Sequence, residues 1–323
     1  MNHARWWKSI WPYLAPRLRE PLKLLPLAVW ERLEEIRLRC RRPLSICGAG
    51  WQSWVGEGGE PTSEPGRALV VEQEDIARTV ELITCHSLYA WEEELSGGFI
   101  TLPGGHRVGL VGRALVERGA VRGLKQFSGL NFRLARQVVG AADPILPLIL
   151  DEQTGLPVST LIVSPPRCGK TTILRDLARQ LSDGAPALRG ARFQVGIVDE
   201  RSELAGCVGG VPQWDVGLQT DVLDGCPKAQ GIMMLLRGMS PEVIVTDELG
   251  REEDADAVAE AAAAGVVVLA SAHAGDLEDL RRRPSLHRLL TGGAFRRAVV
   301  LSRRRGPGTV EKVEELGHAG TGL

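Results

Sequence analysis

The sequence predicts an α/β protein in two parts: a smaller α+β domain over residues 1–140, then a mostly parallel sheet wrapped by helices over 141–323. Three observations predict it. From residue 158 onward, strand-like apolar runs alternate with helical patterns, which is how βαβ units read. A Gly-Lys-Thr turn, Gly169–Thr171, stands between the first of those runs and the first of those helices. Before residue 140 the apolar periods are short and mixed, and the Pro-rich "AADPILPLILDEQTGLP" separates the two patterns.

The elements follow in order. "MNHARWWKSIWPYL" places Trp7, Ile10, Trp11 and Leu14 on one helical face, with Arg5 and Lys8 elsewhere. Lys8 interrupts the apolar core that a signal peptide needs. A Trp-rich face beside basic residues suits a membrane surface or a partner; packing on its own domain is the alternative. "EEIRLRC" and "RPLSICG" read as strands, and "EDIARTVELIT" as a helix. "GFITLPGGHRVGLVGRALV" reads as a hairpin about Gly104–Gly105, and "SGLNFRLAR" as a further strand. In the second part, the run from Val158 to Val163 is a strand and a helix begins at Lys170. "QVGIVDERSEL", "PEVIVTDELG" and "VVVLASAHAG" supply three more strands. "AAAAGVVVLASA", 261–272, is the most apolar stretch and reads as a helix end followed by a buried strand. No segment reaches the ~18 apolar residues of a membrane span.

The turn carries chemistry. "SPPRCGKTT" (Ser164, Pro165, Pro166, Arg167, Cys168, Gly169, Lys170, Thr171 and Thr172) is the phosphate-binding pattern G-x-x-x-x-G-K-[ST] with serine for the first glycine. Its backbone N–H groups, at the positive end of a helix, can surround phosphate oxygens. Lys170 would reach the β- and γ-phosphates of ATP, and the Thr171 hydroxyl would bind Mg²⁺. Arg167 is the residue the pattern does not explain; solvent, a phosphate and a neighbouring subunit are its three possible targets.

Ligands of such sheets sit at the carboxyl ends of strands. Two of those ends carry acid pairs, Asp199-Glu200 and Asp247-Glu248, and a third carries Ser271 and His273. An aspartate there can hold the metal's water shell while its glutamate neighbour orients the attacking water. Either pair alone could instead cap the next element, and His273 is a γ-phosphate sensor or a structural histidine.

With those residues in view, "SPPRCGKTT", "VDERSELAGCVGGVPQWDVGLQTDVLDGCPKAQGIMMLLRGMSPEVIVTDELG" and "SAHA" resemble the stage III sporulation AA family, of the type II/type IV secretion ATPase group. The likeness extends to "GGFITLPGGHRVGLVGRA" and "SGLNFRLAR". It implies a RecA-like P-loop ATPase domain behind the smaller N-terminal α+β domain. It also implies a hexameric ring with nucleotide at subunit boundaries. The expected location is the mother-cell cytoplasm, docked on the membrane proteins of a sporulation channel complex, with no nucleic acid partner. Carried over by the resemblance, Asp199, Glu200, Arg201 and Glu203 form an acidic box. Asp247 and Glu248 end the Walker B strand, His273 follows the next strand, and Arg237 precedes Walker B. First-domain arginines reaching the γ-phosphate would be Arg133 and Arg136, or Arg107 and Arg113. The family's loop has glycine where Arg167 stands. The resulting site has Glu200, Glu248, Arg133, Arg136 and His273 as catalytic residues. Residues 164–172 and Arg237 would hold ATP, and Thr171, Asp247 and Asp199 would hold Mg²⁺.

Composition leaves two other readings standing. Net charge is −1 over 323 residues, which gives no bulk basicity for nucleic acid. A P-loop motor on DNA would have to use Arg281–Arg283 and Arg303–Arg305. A scaffold that binds nucleotide without hydrolysing it is the second, kept open by Arg167. The six cysteines show no C-x-x-C spacing, which points to reduced thiols and no zinc site.

Overall fold

Residues 3–85, 95, 97–117, 120–135 and 137–316 are described by the structure, a computed structural model. The chain falls into two units, 1–136 and 137–323.

The first unit opens with a 3₁₀ helix, His3–Tyr13, and two short helices, α1 (Pro16–Lys23) and α2 (Leu27–Trp30). Ile10 and Leu14 are fully buried and Trp7 nearly so. Trp7 stacks on Trp30 at 5.6 Å, and Trp11 meets the same ring edge-on at 5.0 Å. The aromatic face therefore packs on its own domain, where Trp30 supplies the surface. The strands are β1 (Glu35–Arg39), β2 (Arg42–Pro43), β3 (Ser45–Gly48), β4 (Trp51–Val55), β5 (Pro61–Thr62), β6 (Val70–Val71), β7 (Phe99–Leu102), β8 (His106–Glu117) and β9 (Ala120–Arg133). Among the described residues, seven of them form one antiparallel sheet in the order β5-β4-β3-β1-β9-β8-β7. Helix α3 (Gln73–Ile83) covers it with Ile76, Val80 and Ile83. Gly104 and Gly105, with φ of +88° and +71°, turn the β7–β8 hairpin through a three-residue loop: Leu102 pairs with His106, and the Gly105 N–H donates to the Leu102 carbonyl at 3.0 Å.

The second unit has β10 (Thr160–Ser164), β11 (Val195–Asp199), β12 (Thr220–Asp224), β13 (Val243–Thr246), β14 (Val267–His273), β15 (Arg297–Ser302) and β16 (Thr309–Glu315). Their order is β12-β11-β13-β14-β10-β15-β16, all neighbours parallel except β15 and β16. The helices are α4 (Lys170–Asp183), α5 (Lys228–Gly238), α6 (Glu252–Ala263), α7 (Leu277–Arg281) and α8 (Pro284–Thr291). One core packs Ile173, Leu174 and Leu177 of α4 on the sheet; a second packs Ile232 of α5 and Val258 of α6. The Pro-rich stretch belongs to the first of these cores through Ala142, Ile145, Leu146 and Ile149. Its Ala142 N–H donates to Asp176 Oδ2 at 2.9 Å, and Arg297 donates to the carbonyls of Leu148 and Leu150.

Register then positions the site. Ser164 at the end of β10 lies opposite His273 at the end of β14, and Thr246, just before Asp247, lies opposite Val198 and Ala270. Residues far apart in sequence thus converge at one edge of the parallel sheet, where ligands of such sheets bind.

Candidate functional site

Strand β10 delivers the chain into the loop 165–169, and α4 starts at Lys170 with its N–H groups facing that loop. Gly169 has φ +89°, a left-handed conformation open to glycine. Arg167 has φ +62°, the same region without glycine's freedom, whereas Ser164 does not take a positive φ. The loop is braced from outside, since the Gly308 N–H donates to the Cys168 carbonyl at 2.8 Å. Lys170 is buried. Its ammonium lies within 2.9–3.1 Å of the Ser164 carbonyl and hydroxyl, the Pro165 carbonyl and His273 Nδ1. Burial lowers its pKa, opposed by the charge of Glu248 nearby.

A cavity of about 520 Å³ opens on this loop, lined by Pro166 to Thr172 and by Arg201, Glu203, Asp247, Glu248, Ser271, His273 and Pro307. A chain of polar contacts crosses it. His273 Nδ1 is 2.9 Å from the Lys170 ammonium, and His273 Nε2 is 3.4 Å from Glu248 Oε1. The other Glu248 oxygen, Oε2, is 2.7 Å from Arg201 Nη1. Since Lys170 can only donate, His273 accepts at Nδ1 and presents an Nε2–H to Glu248. The Glu248 backbone has φ +41°, and its N–H donates to Ser271 Oγ at 3.0 Å. The Glu248 carboxylate is thus held between a histidine and an arginine, on a residue of strained backbone beside the phosphate loop.

The stretch Asp199–Glu203 brings only part of its side chains to the cavity. Asp199, placed by sequence as a metal ligand, is fully buried, and its two oxygens accept from the Glu203 and Ala205 N–H groups at 2.8 Å. Burial raises its carboxyl, and those backbone bonds oppose the rise. Glu200, placed as catalytic, is engaged by Lys228, a buried lysine at the start of α5, which holds the Glu200 carboxyl low. Neither lines the cavity; the members of this stretch that do are Arg201 and Glu203. The reason is a clamp on residues 203–205. Asp199 takes their N–H groups, while Arg175 of α4 donates to the Glu203 and Leu204 carbonyls at 2.6 and 2.5 Å. Arg175 also stacks on Trp214 at 4.9 Å, and burial lowers it to about 10.

Asp247 stays at the cavity. Burial pushes it up to about 6, against the pull of Lys228 at 3.8 Å. Its Oδ1 is buried with no hydrogen-bond partner. A buried acceptor without a partner fits a divalent cation or its water shell, and Thr171 lines the same cavity. Among the described residues no group of three or more His, Cys, Asp or Glu forms a metal site by itself.

Of the remaining expected residues, Arg237 is exposed in the last turn of α5 and is not part of the cavity lining. Arg133 ends β9 in the first unit, opposite Glu35 and Arg107. Arg136 lies outside the described residues. Arg281 pairs with Glu278 and Glu314, and Arg304 is 3.8 Å from Glu311, so part of each arginine run is used locally. Sequence reading missed Lys228, Arg175 and Pro307. A lysine or arginine is ordinarily solvated, and nothing local marks one that will be buried. For Lys228 the only signal was its place just after Pro227, where a helix starts.

The chain is 44% identical over 300 residues to Stage III sporulation protein AA of Bacillus subtilis (strain 168), covering 93% of this chain and 92% of that one. By fold it is similar to the ATPase DotB of Yersinia pseudotuberculosis, with TM-score 0.58 and 13% identity over 95% of this chain and 81% of that one. It is also similar to the pilus retraction motor PilT, solved with bound ADP, with TM-score 0.54 and 14% identity over 88% and 76%. Those neighbours share the RecA-like α/β fold of secretion ATPases, as the sequence led us to expect. The family described as "Sporulation stage III, protein AA" matches residues 5–318, and this chain belongs to it.

Proposed function

We propose that this protein is a Mg²⁺-dependent ATPase that energises a membrane-spanning secretion or feeding channel complex during endospore formation. The observation that carries the reading is the contact chain from Lys170 through His273 and Glu248 to Arg201, across one cavity on the phosphate loop. The family name supports the sporulation setting, and the fold shared with the pilus motor supports the motor role.

In this reading Lys170 exchanges its carbonyl partners for β- and γ-phosphate oxygens, and the loop's N–H groups surround them. The residues that would hold Mg²⁺ are Thr171 and Asp247; bound there, the ion would neutralise charge on the phosphates. Glu248 orients a water and accepts its proton as the water oxygen bonds to the γ-phosphorus. The bond to the ADP oxygen breaks, and the proton passes on to the released phosphate. His273 links Glu248 to Lys170, so the state of the γ-phosphate is felt at the carboxylate. The proposal extends to a homo-oligomer, a hexameric ring, in the mother-cell cytoplasm. It would be held at the membrane by protein partners, without nucleic acid.

Phosphate release from the purified chain tests the reading. Wild type should release phosphate with Mg²⁺ and stop in EDTA. Lys170→Ala should lose nucleotide binding or turnover, and Glu248→Gln should bind ATP yet turn over about 10²–10⁴ times more slowly. Wild type that binds ATP and releases no phosphate would favour the scaffold reading instead.

A further inference from the structure

We propose that Arg201 is an intrachain catalytic arginine: its guanidinium leaves Glu248 for the γ-phosphoryl group as the transition state forms. Its departure frees the Glu248 carboxylate to orient the attacking water. The inference rests on reading the cavity as an ATP-hydrolysing site.

Three observations carry it. First, Arg201 Nη1 lies 2.7 Å from Glu248 Oε2, and Glu248 is joined through His273 to the Lys170 ammonium by contacts of 3.4 and 2.9 Å. The guanidinium therefore faces the cavity that holds the phosphate-loop lysine, on the far side of the carboxylate. Second, the chain just after it is held in place, and its long side chain reaches out from that held segment. Asp199 and Arg175 hold residues 203–205 at four backbone groups, and Ser202 Oγ donates to Asp224 at 2.6 Å. The Arg201 side chain is 57% exposed. A long charged side chain carried on a held segment can change partner without moving the chain. Third, the cavity gathers three carboxylates, Glu203, Asp247 and Glu248, against the cations Arg167, Lys170 and Arg201. A triphosphate brought there meets Glu248 as a like charge. Arg201 is the cation already bound to that carboxylate, so its transfer to the phosphoryl oxygens relieves the repulsion and releases the base in one movement. A guanidinium suits this because its planar fork can donate to two oxygens at once. Arg201 forms no covalent bond; the water's proton goes to Glu248 and the electron pair of the broken bond stays with ADP.

The test uses the full-length chain with Arg201→Ala and Arg201→Lys, and reads ADP binding, phosphate release and binding of ADP with aluminium fluoride. Arg201→Ala should bind ADP as wild type does, which also certifies its fold. Its kcat should fall by about 10²–10³-fold, and aluminium fluoride should no longer tighten ADP binding. Arg201→Lys should recover little, since an ammonium lacks the fork. Mixing Arg201→Ala with Lys170→Ala chains should restore nothing, because both groups must come from one chain. An Arg201→Ala protein that turns over within threefold of wild type, or faster, overturns the proposal and leaves Arg201 as a restraint on Glu248. Recovery on mixing overturns it too, by assigning Arg201 to a neighbour's site. A Lys170→Ala chain that binds ADP as well as wild type would instead sink the reading of the site, and this inference with it.

Discussion

Arg167 holds φ at +62° in the middle of the phosphate loop, two residues before Gly169 at +89°. An L-residue with a Cβ in that region costs on the order of 1 kcal/mol, which glycine does not incur. Arg167→Gly should therefore raise the melting temperature by a few degrees and leave hydrolysis equal or higher. A large loss of activity at an unchanged melting temperature would make the guanidinium a working phosphate ligand. Asp247 is strained in another way. Burial holds its proton to about pH 6, where an ordinary aspartate releases it near 3.8. The folded state thus binds that proton more tightly than the unfolded one. Its benefit to folding is full at acid pH and is lost as pH rises from about 4 to about 6, a swing of roughly 3 kcal/mol at most. Asp247→Asn, without nucleotide or Mg²⁺, should accordingly melt higher than wild type at pH 7.5 and about equally at pH 4. A variant that melts lower at pH 7.5 would show that the carboxylate stabilises the site through Lys228. Single residues were legible where a motif fixes their chemistry: Lys170, Thr171, Asp247, Glu248 and His273 were all read from the sequence and all line the cavity. What the motif could not show was which acid of "DERSE" faces inward, because that depends on the buried partners Lys228 and Arg175.

Between residue and fold stands the clamp on residues 203–205, which ties helix α4 to the loop after β11. Arg175→Leu leaves the Glu203 and Leu204 carbonyls without their donor and removes the stack on Trp214. Each orphaned buried carbonyl costs about 1–3 kcal/mol. The expected result is faster amide exchange across residues 200–215 and a marked loss of turnover, while the protection of β13 and β14 persists. Unchanged exchange in that segment would mean that Asp199 alone holds the loop. Burial made several elements legible, although β15, buried at all but its last position, was not among them. Strands β10, β11 and β13 are buried at every position, so each appears as an unbroken apolar run. Strand β12 escaped because it is an edge strand with only partial burial and carries Asp221 and Asp224. The first half of β9 escaped for a related reason. Before Gly129 it pairs only with β8, outside the register with β1, so no buried face imposes alternation on "AVRGLKQ".

At the scale of the whole molecule, the parallel sheet of the second unit gathers lysine, acids and histidine on one rim, while the expected arginines Arg107, Arg113 and Arg133 are carried by the first unit. Arg133 has an acid opposite it in its own sheet. Burial raises Glu35, yet Arg37, Asn131 and Arg133 together hold its carboxyl below the ordinary value. Local pairing of this kind is worth little when exposed, so it does not prevent the arginine from serving another chain's nucleotide. Such a group, supplied from a neighbouring subunit, accelerates phosphoryl transfer by about 10³–10⁵ where it has been measured. If Arg133 acts in this way, the active unit is an assembly, and specific activity should rise with protein concentration. Mixed chains make the argument sharper. In a mixture of Lys170→Ala and Arg133→Ala chains, some sites combine an intact lysine from one chain with an intact arginine from the other, and hydrolysis should partly return. The same experiment with Arg201→Ala in place of Arg133→Ala should stay silent, since lysine and arginine then come from a single chain. Full activity at high dilution, with no recovery in the Arg133 mixture, would confine the whole reaction to one subunit and leave Arg133 as the partner of Glu35.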